Sequence, residues 1–555
     1  MDIFQITTDA VGGSTGLSAV VSAVPLVTFF VCLLLLKMRA HTSGAIALAA
    51  ALLVAIFAFD MPWDMALSSA GRGGLFGLLP IVWVIVMAIW FYEITVAAGR
   101  FDDLRKTFDL LGEGDIRVQA ILIAFCFGGM LEALAGFGAP VAITATMIMA
   151  LGIKPLKAAT VVLIANTAPV AFGAVAIPIT TAGEVGGRTA EQTADIASLT
   201  ASVVFLIAAL VPMFILFIID GVRGMKEAAP AALVIGFSFA ITQWLAANFF
   251  AYQLTNVIAC IVSLAAAFLF MRMWHPKGVA ELRERLDVEA ASTSSDLNGR
   301  RIWMALLPYA IVTVVFGLAN VGGAIPKLLN AVKIKLDWPL LDGTVLAADG
   351  TPMDTSYSLS VFGNPGTLLL ISGLIVAVVY YFFNDGGKFA LAPSAPWTKF
   401  LEVANRMKWS ALTIVLVLAL AYVMNYSGQT ISIGEFVASA GALYALFSPV
   451  LGWVGTAVTG SDTSANALFA NLQVTAANNL GVSPDLLLAS NTSGGVVGKM
   501  ISPQSLAIAA TAVQMEGQES KILKAVVGYS FVFLVAVCVI VFLMTNVLGF
   551  LVPAV

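Results

Sequence analysis

At 555 residues the chain is long enough for several soluble domains, but 60% of it is hydrophobic and 11% charged, against roughly half and a quarter in ordinary globular proteins. Apolar runs of about 18 residues recur along nearly the whole length, each long enough for a helix to cross a bilayer, whereas the short alternating segments of a membrane β-barrel are missing. The formal net charge of −4 selects no partner, no basic face with interleaved aromatics suggests nucleic acid, and the composition is that of an all-α polytopic membrane protein.

The N-terminus carries Asp2 and Asp9 and lacks the basic region of a cleaved signal peptide, so the first run is expected to be retained. Seven runs lie near 14–36, 43–59, 75–97, 117–135, 137–151, 158–180 and 196–219, and two more near 230–247 and 253–271. A second seven lie near 302–322, 366–384, 409–426, 431–453, 462–481, 484–512 and 527–552. This divides the chain into a first half (1–219), linking helices with a loop (220–301) and a second half (302–555). The polar segments 272–301 and 323–365 carry turn residues and little periodicity, and read as connecting loops. Short-loop cations set the orientation. Lys37, Arg39, Arg100, Arg105, Lys106, Arg117, Lys154, Lys157, Arg223 and Lys226 fall on one side, taken as cytoplasmic, and both termini then face outward. Only the loop near 323–365, with Lys327, Lys333 and Lys335, dissents.

Two stretches, 128–178 and 452–503, repeat one pattern. Each opens on a Gly-centred break, Gly136-Phe137-Gly138-Ala139-Pro140 and Gly460-Ser461-Asp462-Thr463-Ser464. Each passes through Leu-Gly-x-x-Pro (Leu151, Gly152, Pro155; Leu480, Gly481, Pro484) and reaches an Asn-Thr pair, Asn166-Thr167 and Asn491-Thr492. The Asn, Gly and Pro of the last block share one offset of 325 (491 − 166, 498 − 173, 503 − 178). The copies lie nine crossings apart, an odd number, so the expectation is an inverted repeat of about seven runs each, with broken helices or re-entrant hairpins. Helix interruptions at membrane depth survive only where protein or a wet cavity satisfies the backbone, and broken ends aim amides at the gap, which favours an anion. The expected substrate-binding residues are Gly136, Phe137, Gly138, Ala139, Asn166, Thr167, Gly460, Ser461, Thr463, Ser490, Asn491, Thr492 and Lys499. The competing explanation for each small residue alone is close helix packing.

Two carboxylates sit inside these blocks: Glu132, four residues before Gly136, and Asp462, inside the second break. A charge at the centre of a membrane helix costs about 3 kcal/mol on insertion scales and normally has a partner or a task. Both are expected to serve proton coupling. Glu93 is a weaker candidate near the inner end of its run. Lys499 is expected to balance Asp462 or to meet a substrate carboxylate, a structural ion pair being the alternative. Cys32, Cys126, Cys260 and Cys538 lack metal-ligand spacing and read as small buried hydrophobes, and His41 and His275 as solvated. No GxxxxGK[ST], HExxH or GxSxG motif occurs, so no metal, cofactor or enzymatic activity is expected.

At GGMLEALAGFGAP, LIANTAPVAFGA and TGSDTSANALFANLQ…SNTSGGVVGKMISPQS the sequence closely resembles the bacterial lactate permease family, in length and layout over essentially the whole chain. That resemblance implies an inner-membrane symporter taking up L-lactate, D-lactate and glycolate with protons. The paired Asn-Thr motifs are also similar, more distantly, to those of the sodium-dicarboxylate symporters, but the first copy reads Ala165-Asn166-Thr167 and lacks the Ser of Ser490-Asn491-Thr492. The expectation is proton symport of small 2-hydroxy monocarboxylates. A sodium-coupled carboxylate symporter is the nearest alternative, and a membrane-embedded subunit of a larger complex the next. The expected partners are the carboxylate, the proton and the lipid bilayer, with no nucleic acid and a homodimer left open.

Overall fold

The computed structural model describes residues 3–111, 115–135, 138–286, 298–320, 324–329, 331–348, 350–353, 355–441 and 443–553. The first half comprises α1 (Thr15–Leu33), α2 (Ala40–Ala58), α3 (Trp63–Ala97), α4 (Arg100–Leu111), α5 (Ile116–Leu134), α6 (Ala139–Ala150), α7 (Pro155–Ala165), α8 (Gly173–Val185) and the start of α9 (Ala190–Phe249). Then follow α10 (Thr255–Met271), α11 (Val279–Leu286) and α12 (Gly299–Asn320). The second half continues with α13 (Pro365–Phe382), α14 (Ala395–Tyr426), α15 (Gln429–Ala438), α16 (Leu443–Thr459), α17 (Asp462–Leu480), α18 (Pro484–Gly498), α19 (Pro503–Ala512) and α20 (Glu519–Asn546). Among the described residues, ten helices are long and apolar enough to cross a membrane, eleven if the bent pair α7–α8 is one span. The molecule is an all-α polytopic membrane protein.

The 60-residue α9 is two antiparallel spans. Its backbone leaves helical geometry at Asp220 and at Gly221, where φ is 63°. The arms then meet: Ser198 Oγ donates to Asn248 Oδ1 at 2.6 Å and Trp244 Nε1 to Ser202 Oγ at 3.0 Å. This agrees with the separate runs near 196–219 and 230–247. The run near 431–453 is corrected: it is divided between α15 and α16, the former ending in turns through Ser439, Ala440 and Gly441.

The described residues on either side of both expected Gly-centred breaks belong to helices that pack against each other as hairpins. In the first, Gly128 of the π-bulged α5 segment faces Thr144 of α6, and the chain turns into α6 at Gly138 with φ 90°. In the second, Gly455 of α16 faces Ala465 and Phe469 of α17 across a turn where Gly460 has φ 76°. Such φ values strain any residue with a Cβ, hence glycine. The Ser461 hydroxyl then caps α17, accepting from the Ser464 amide at 3.2 Å.

The two hairpins open toward opposite ends of the molecule. Near the open end of the first, Lys157 donates to Ile219 O at 2.8 Å, and Arg117 pairs with Asp115, Asp220 and Glu227 at 2.8, 3.2 and 2.7 Å. The α7–α8 pair leads from there to Arg188, which bonds Asp485 in the first turn of α18, beside the open end of the second hairpin, at 2.7 Å. Each hairpin is followed by a broken helix. The first, α7–α8, bends by 63° between Pro155–Ala165 and Val170–Val185. The carbonyls it frees are taken by the linking helices: Gln243 Nε2 donates to Ala168 O at 3.2 Å and Asn256 Nδ2 to Pro169 O at 2.6 Å. The second breaks between α18 and α19, where Ser502 caps α19 and Ser530 of α20 donates to Val497 O at 2.7 Å.

The segment expected as a plain loop, 323–365, contains strands instead. Lys333–Leu336 pairs antiparallel with Tyr357–Ser360, and Val345–Leu346 pairs parallel with Phe4–Gln5 near the N-terminus. Lys-Ile-Lys-Leu and Tyr-Ser-Leu-Ser alternate with period two, a strand signal too short to outweigh the surrounding turn residues. Asn478-Asn479 belongs to the last turn of α17, which stops at Gly481 (φ 66°).

Helices α16 and α18 pack backbone to backbone. A Cβ at Gly452 would land on the Asn491 carbonyl oxygen, and one at Gly494 on that of Pro449. This is the small-residue contact that lets membrane helices approach closely. Gly494→Val is therefore expected to cost about 1–3 kcal/mol by overpacking, read as a lowered thermal unfolding midpoint in detergent, while Gly528→Val, where nothing lies within 4 Å, leaves it unchanged.

Candidate functional site

The hairpins and broken helices bring two carboxylates and one lysine into the same buried region. Glu132, on the first hairpin, is 2% exposed. Its Oε1 lies 2.6 Å from Nζ of Lys499 in the second break, and its Oε2 accepts from Asn166 Nδ2 of the first break at 3.0 Å. A buried carboxylate is tolerable only with such partners, because the desolvation cost of an unpaired ion is several kcal/mol. The sequence left Lys499 to balance Asp462 or to meet a substrate; it pairs with Glu132. Gly173 makes room for this pair, since a Cβ there would sit 2.8 Å from Glu132 Oε1. Beyond it Ala174, Val175 and Ala176 all have positive φ, 43°, 61° and 58°, a conformation costing about 1–2 kcal/mol per residue. Strain of this kind concentrates beside functional sites.

Asp462 opens α17, where the helix dipole favours a carboxylate. It is 3% exposed. Its Oδ1 has two long contacts, from Thr456 Oγ1 and Asn466 Nδ2, both at 3.5 Å, and its Oδ2 has no hydrogen-bond partner among the described residues. Gly495 of α18 leaves the space for this carboxyl, because a Cβ there would fall on Oδ1.

Between the two carboxylates lies a cavity of about 40 Å³. Of the expected substrate-binding residues, Gly138, Gly460, Ser461, Thr463 and Lys499 line it, together with both expected coupling residues, Glu132 and Asp462. Asn166 acts one step removed, through Glu132. Thr167 turns away, its hydroxyl directed to Leu163 O at 3.5 Å. Ser490, Asn491 and Thr492 are fully buried and do not line the cavity. They join a closed network instead: Asn491 Nδ2 and Thr492 Oγ1 donate to Asn466 Oδ1 at 2.9 and 3.1 Å, Gln473 Nε2 donates to Asn491 Oδ1 at 3.2 Å, and Ser448 and Ser490 share a bond of 2.6 Å. Gly136 and Phe137 lie outside the described residues, as does the side chain of Ala139, whose backbone begins α6. Glu93 is held by Arg406 at 2.7 Å, away from the cavity.

The cavity adjoins a groove of about 920 Å³ through Ser461 and Gln504, which line both. Lys37 and Arg39, from the α1–α2 loop assigned to the cytoplasm, and His41, in the first turn of α2, also line the groove, and His41 stacks on Trp409 with ring centroids 4.6 Å apart. Sequence reasoning missed Gln504, Asn466 and Gln473, although each is an amide side chain within or beside the second repeated block, and also Gln243 and Asn256 in otherwise apolar linking helices. Among the described residues, no group of three or more His, Cys, Asp or Glu is placed to hold a metal ion.

Many apolar spans, with two hairpins and two broken helices enclosing a buried ion pair and a small cavity lined by two carboxyls and a lysine, define a membrane transporter. The family described as L-lactate permease matches residues 18–548. An L-lactate permease of Bacillus subtilis (strain 168) is 40% identical, with 98% of each chain aligned. Glycolate permease GlcA of Escherichia coli (strain K12) is 40% identical over 94% of each chain, and the L-lactate permease of the same strain 37% identical over 100% of each. Among solved structures, the Alcanivorax borkumensis YdaH transporter covers 80% of this chain and 89% of its own at 17% identity and a TM-score of 0.32. The chain belongs to the L-lactate permease family, and is a multi-pass protein of the bacterial inner membrane.

Removing one member of the buried pair leaves the other charge stranded. Lys499→Met is expected to destabilise the protein by about 3–5 kcal/mol, and Glu132→Gln combined with Lys499→Met to recover most of that loss. Thermal unfolding of the two purified variants beside the wild type checks it; equal midpoints for single and double variants would contradict the pairing.

Proposed function

We propose that this protein takes up small 2-hydroxy monocarboxylates, L-lactate, D-lactate and glycolate, together with protons. One observation carries the reading: the Glu132–Lys499 pair, 2.6 Å apart, in the wall of the cavity. An arriving carboxylate competes with Glu132 for the Lys499 ammonium. If Glu132 takes a proton as it lets go, the charge in the cavity is the same before and after, and one anion moves with one proton. The relatives' names supply the substrate class, since lactate and glycolate are both short 2-hydroxy acids. The Lys499 ammonium and the Ser461 hydroxyl, which both line the cavity, are the groups assigned to the carboxylate. Of the two carboxyls expected to couple protons, Glu132 is the one with a cation to exchange, and the coupling role is assigned to it.

In the same reading the two halves, 1–219 and 302–555, form an inverted repeat joined by 220–301. The opposite openings of the two hairpins support it. The 920 Å³ groove at the Lys37–His41 end is then the path by which substrate leaves to the cytoplasm.

In proteoliposomes with an inward proton gradient and no sodium, the wild type is expected to accumulate labelled L-lactate, with collapse on adding a protonophore. Glu132→Gln is expected to lose gradient-driven accumulation, down to the level of empty liposomes, while lactate–lactate exchange persists. Full accumulation by Glu132→Gln would overturn the coupling assignment, and a requirement for sodium would replace proton coupling with the sodium-coupled alternative.

A further inference from the structure

We infer that Asp462 reads the 2-hydroxyl of the substrate, so that the site prefers 2-hydroxy carboxylates to plain monocarboxylates of the same size. The inference rests on the reading that the Lys499 cavity is the substrate site.

Asp462 is 3% exposed and shares the wall of one small cavity with Lys499. Among the described residues its Oδ2 has no hydrogen-bond partner, which buried polar atoms in folded proteins rarely tolerate without a ligand or water to complete them. Its Oδ1 is little better served, with two contacts at the 3.5 Å limit. Among the described residues, no cation lies within ion-pair distance of it, because Lys499 is engaged by Glu132. Glu132, by contrast, has close partners on both oxygens. One carboxyl is therefore fully satisfied within the protein and the other is not.

A 2-hydroxy acid presents two complementary features on adjacent carbons. Its carboxylate suits the ammonium of Lys499. Its hydroxyl both donates and accepts, so it can pair with Asp462 in either protonation form of that side chain. Propionate keeps the carboxylate and the three-carbon length of lactate but puts a methylene where the hydroxyl was. It would fill the cavity and leave Oδ2 unpaired. Sites built around a substrate hydroxyl reject analogues that lack it far more strongly than apolar pockets reject a missing methylene, because a buried polar group is then stranded. Gly495 belongs to the same arrangement, since any side chain there would push Asp462 out of place.

The test is calorimetric titration of the full-length purified protein with L-lactate, glycolate and propionate, for the wild type and Asp462→Ala. The wild type is expected to bind both hydroxy acids about tenfold or more tighter than propionate. In Asp462→Ala, which has no side-chain atom left to pair with the hydroxyl, that preference narrows several-fold, through weaker L-lactate and glycolate binding, while propionate binding persists and reports an intact site. Asp462→Ser, whose hydroxyl is one bond shorter than the carboxyl, serves as a second variant should the alanine form fail to fold, with the same narrowing expected. An undiminished hydroxy-acid preference in a variant that still binds propionate would overturn the inference while leaving Lys499 as the carboxylate site. A wild type indifferent to L-lactate and glycolate would overturn the substrate reading itself, and the inference with it.

Discussion

A peptide group inside hydrocarbon has no water to bond, so every interruption of a membrane helix must be completed by protein. This constraint explains much of the architecture around the cavity. The break between Ala165 and Val170 frees carbonyls at Ala168 and Pro169, and these are met by Gln243 and Asn256. The linking helices therefore do more than connect the two halves: they supply the amides that make the first break affordable. At the second break, Ser530 of the last long helix takes the Val497 carbonyl, and Ser502 caps the helix that resumes.

The same constraint governs charge. Glu132 and Lys499 come from sequence positions 367 residues apart and neutralise each other where neither could stand alone. The pair joins the first hairpin to the second break, and Asn166 ties in the first break. Anything that changes the protonation of Glu132, or offers Lys499 a different anion, thus acts on the contacts that hold these parts together. That connection gives substrate binding a route to a change of conformation, through differential contacts with two states.

Much of this was legible in the residues. Glycine at 138 and 460 marked the hairpin tips because only those backbone angles close the turns, and an isolated Glu and Asp in apolar sequence marked the cavity. The second Asn-Thr pair lies off the cavity, for a local reason. Helix α7 ends at Ala165, so Asn166 sits at its C-cap and reaches Glu132, whereas α18 continues intact to Gly498 and keeps Asn491 inside a helix facing α17. Matching letters at matching offsets do not fix where a helix stops. The partner of Lys499 was hidden for another reason: Asp462 is close in sequence, but the fold brings Glu132 closer. The strands within 323–365 depended on pairing between segments about 24 residues apart, which a single pass along the chain does not display.

The central claim is that a substrate anion replaces Glu132 at Lys499 as Glu132 takes up a proton, which makes the transport cycle electrically neutral. The most direct measurement is L-lactate uptake into proteoliposomes at equal internal and external pH, with a membrane potential imposed by a potassium gradient and valinomycin. The account predicts that an inside-negative and an inside-positive potential give the same uptake as none. Accumulation driven by an inside-negative potential would mean that net positive charge enters with lactate, and the one-for-one exchange at Lys499 would be wrong.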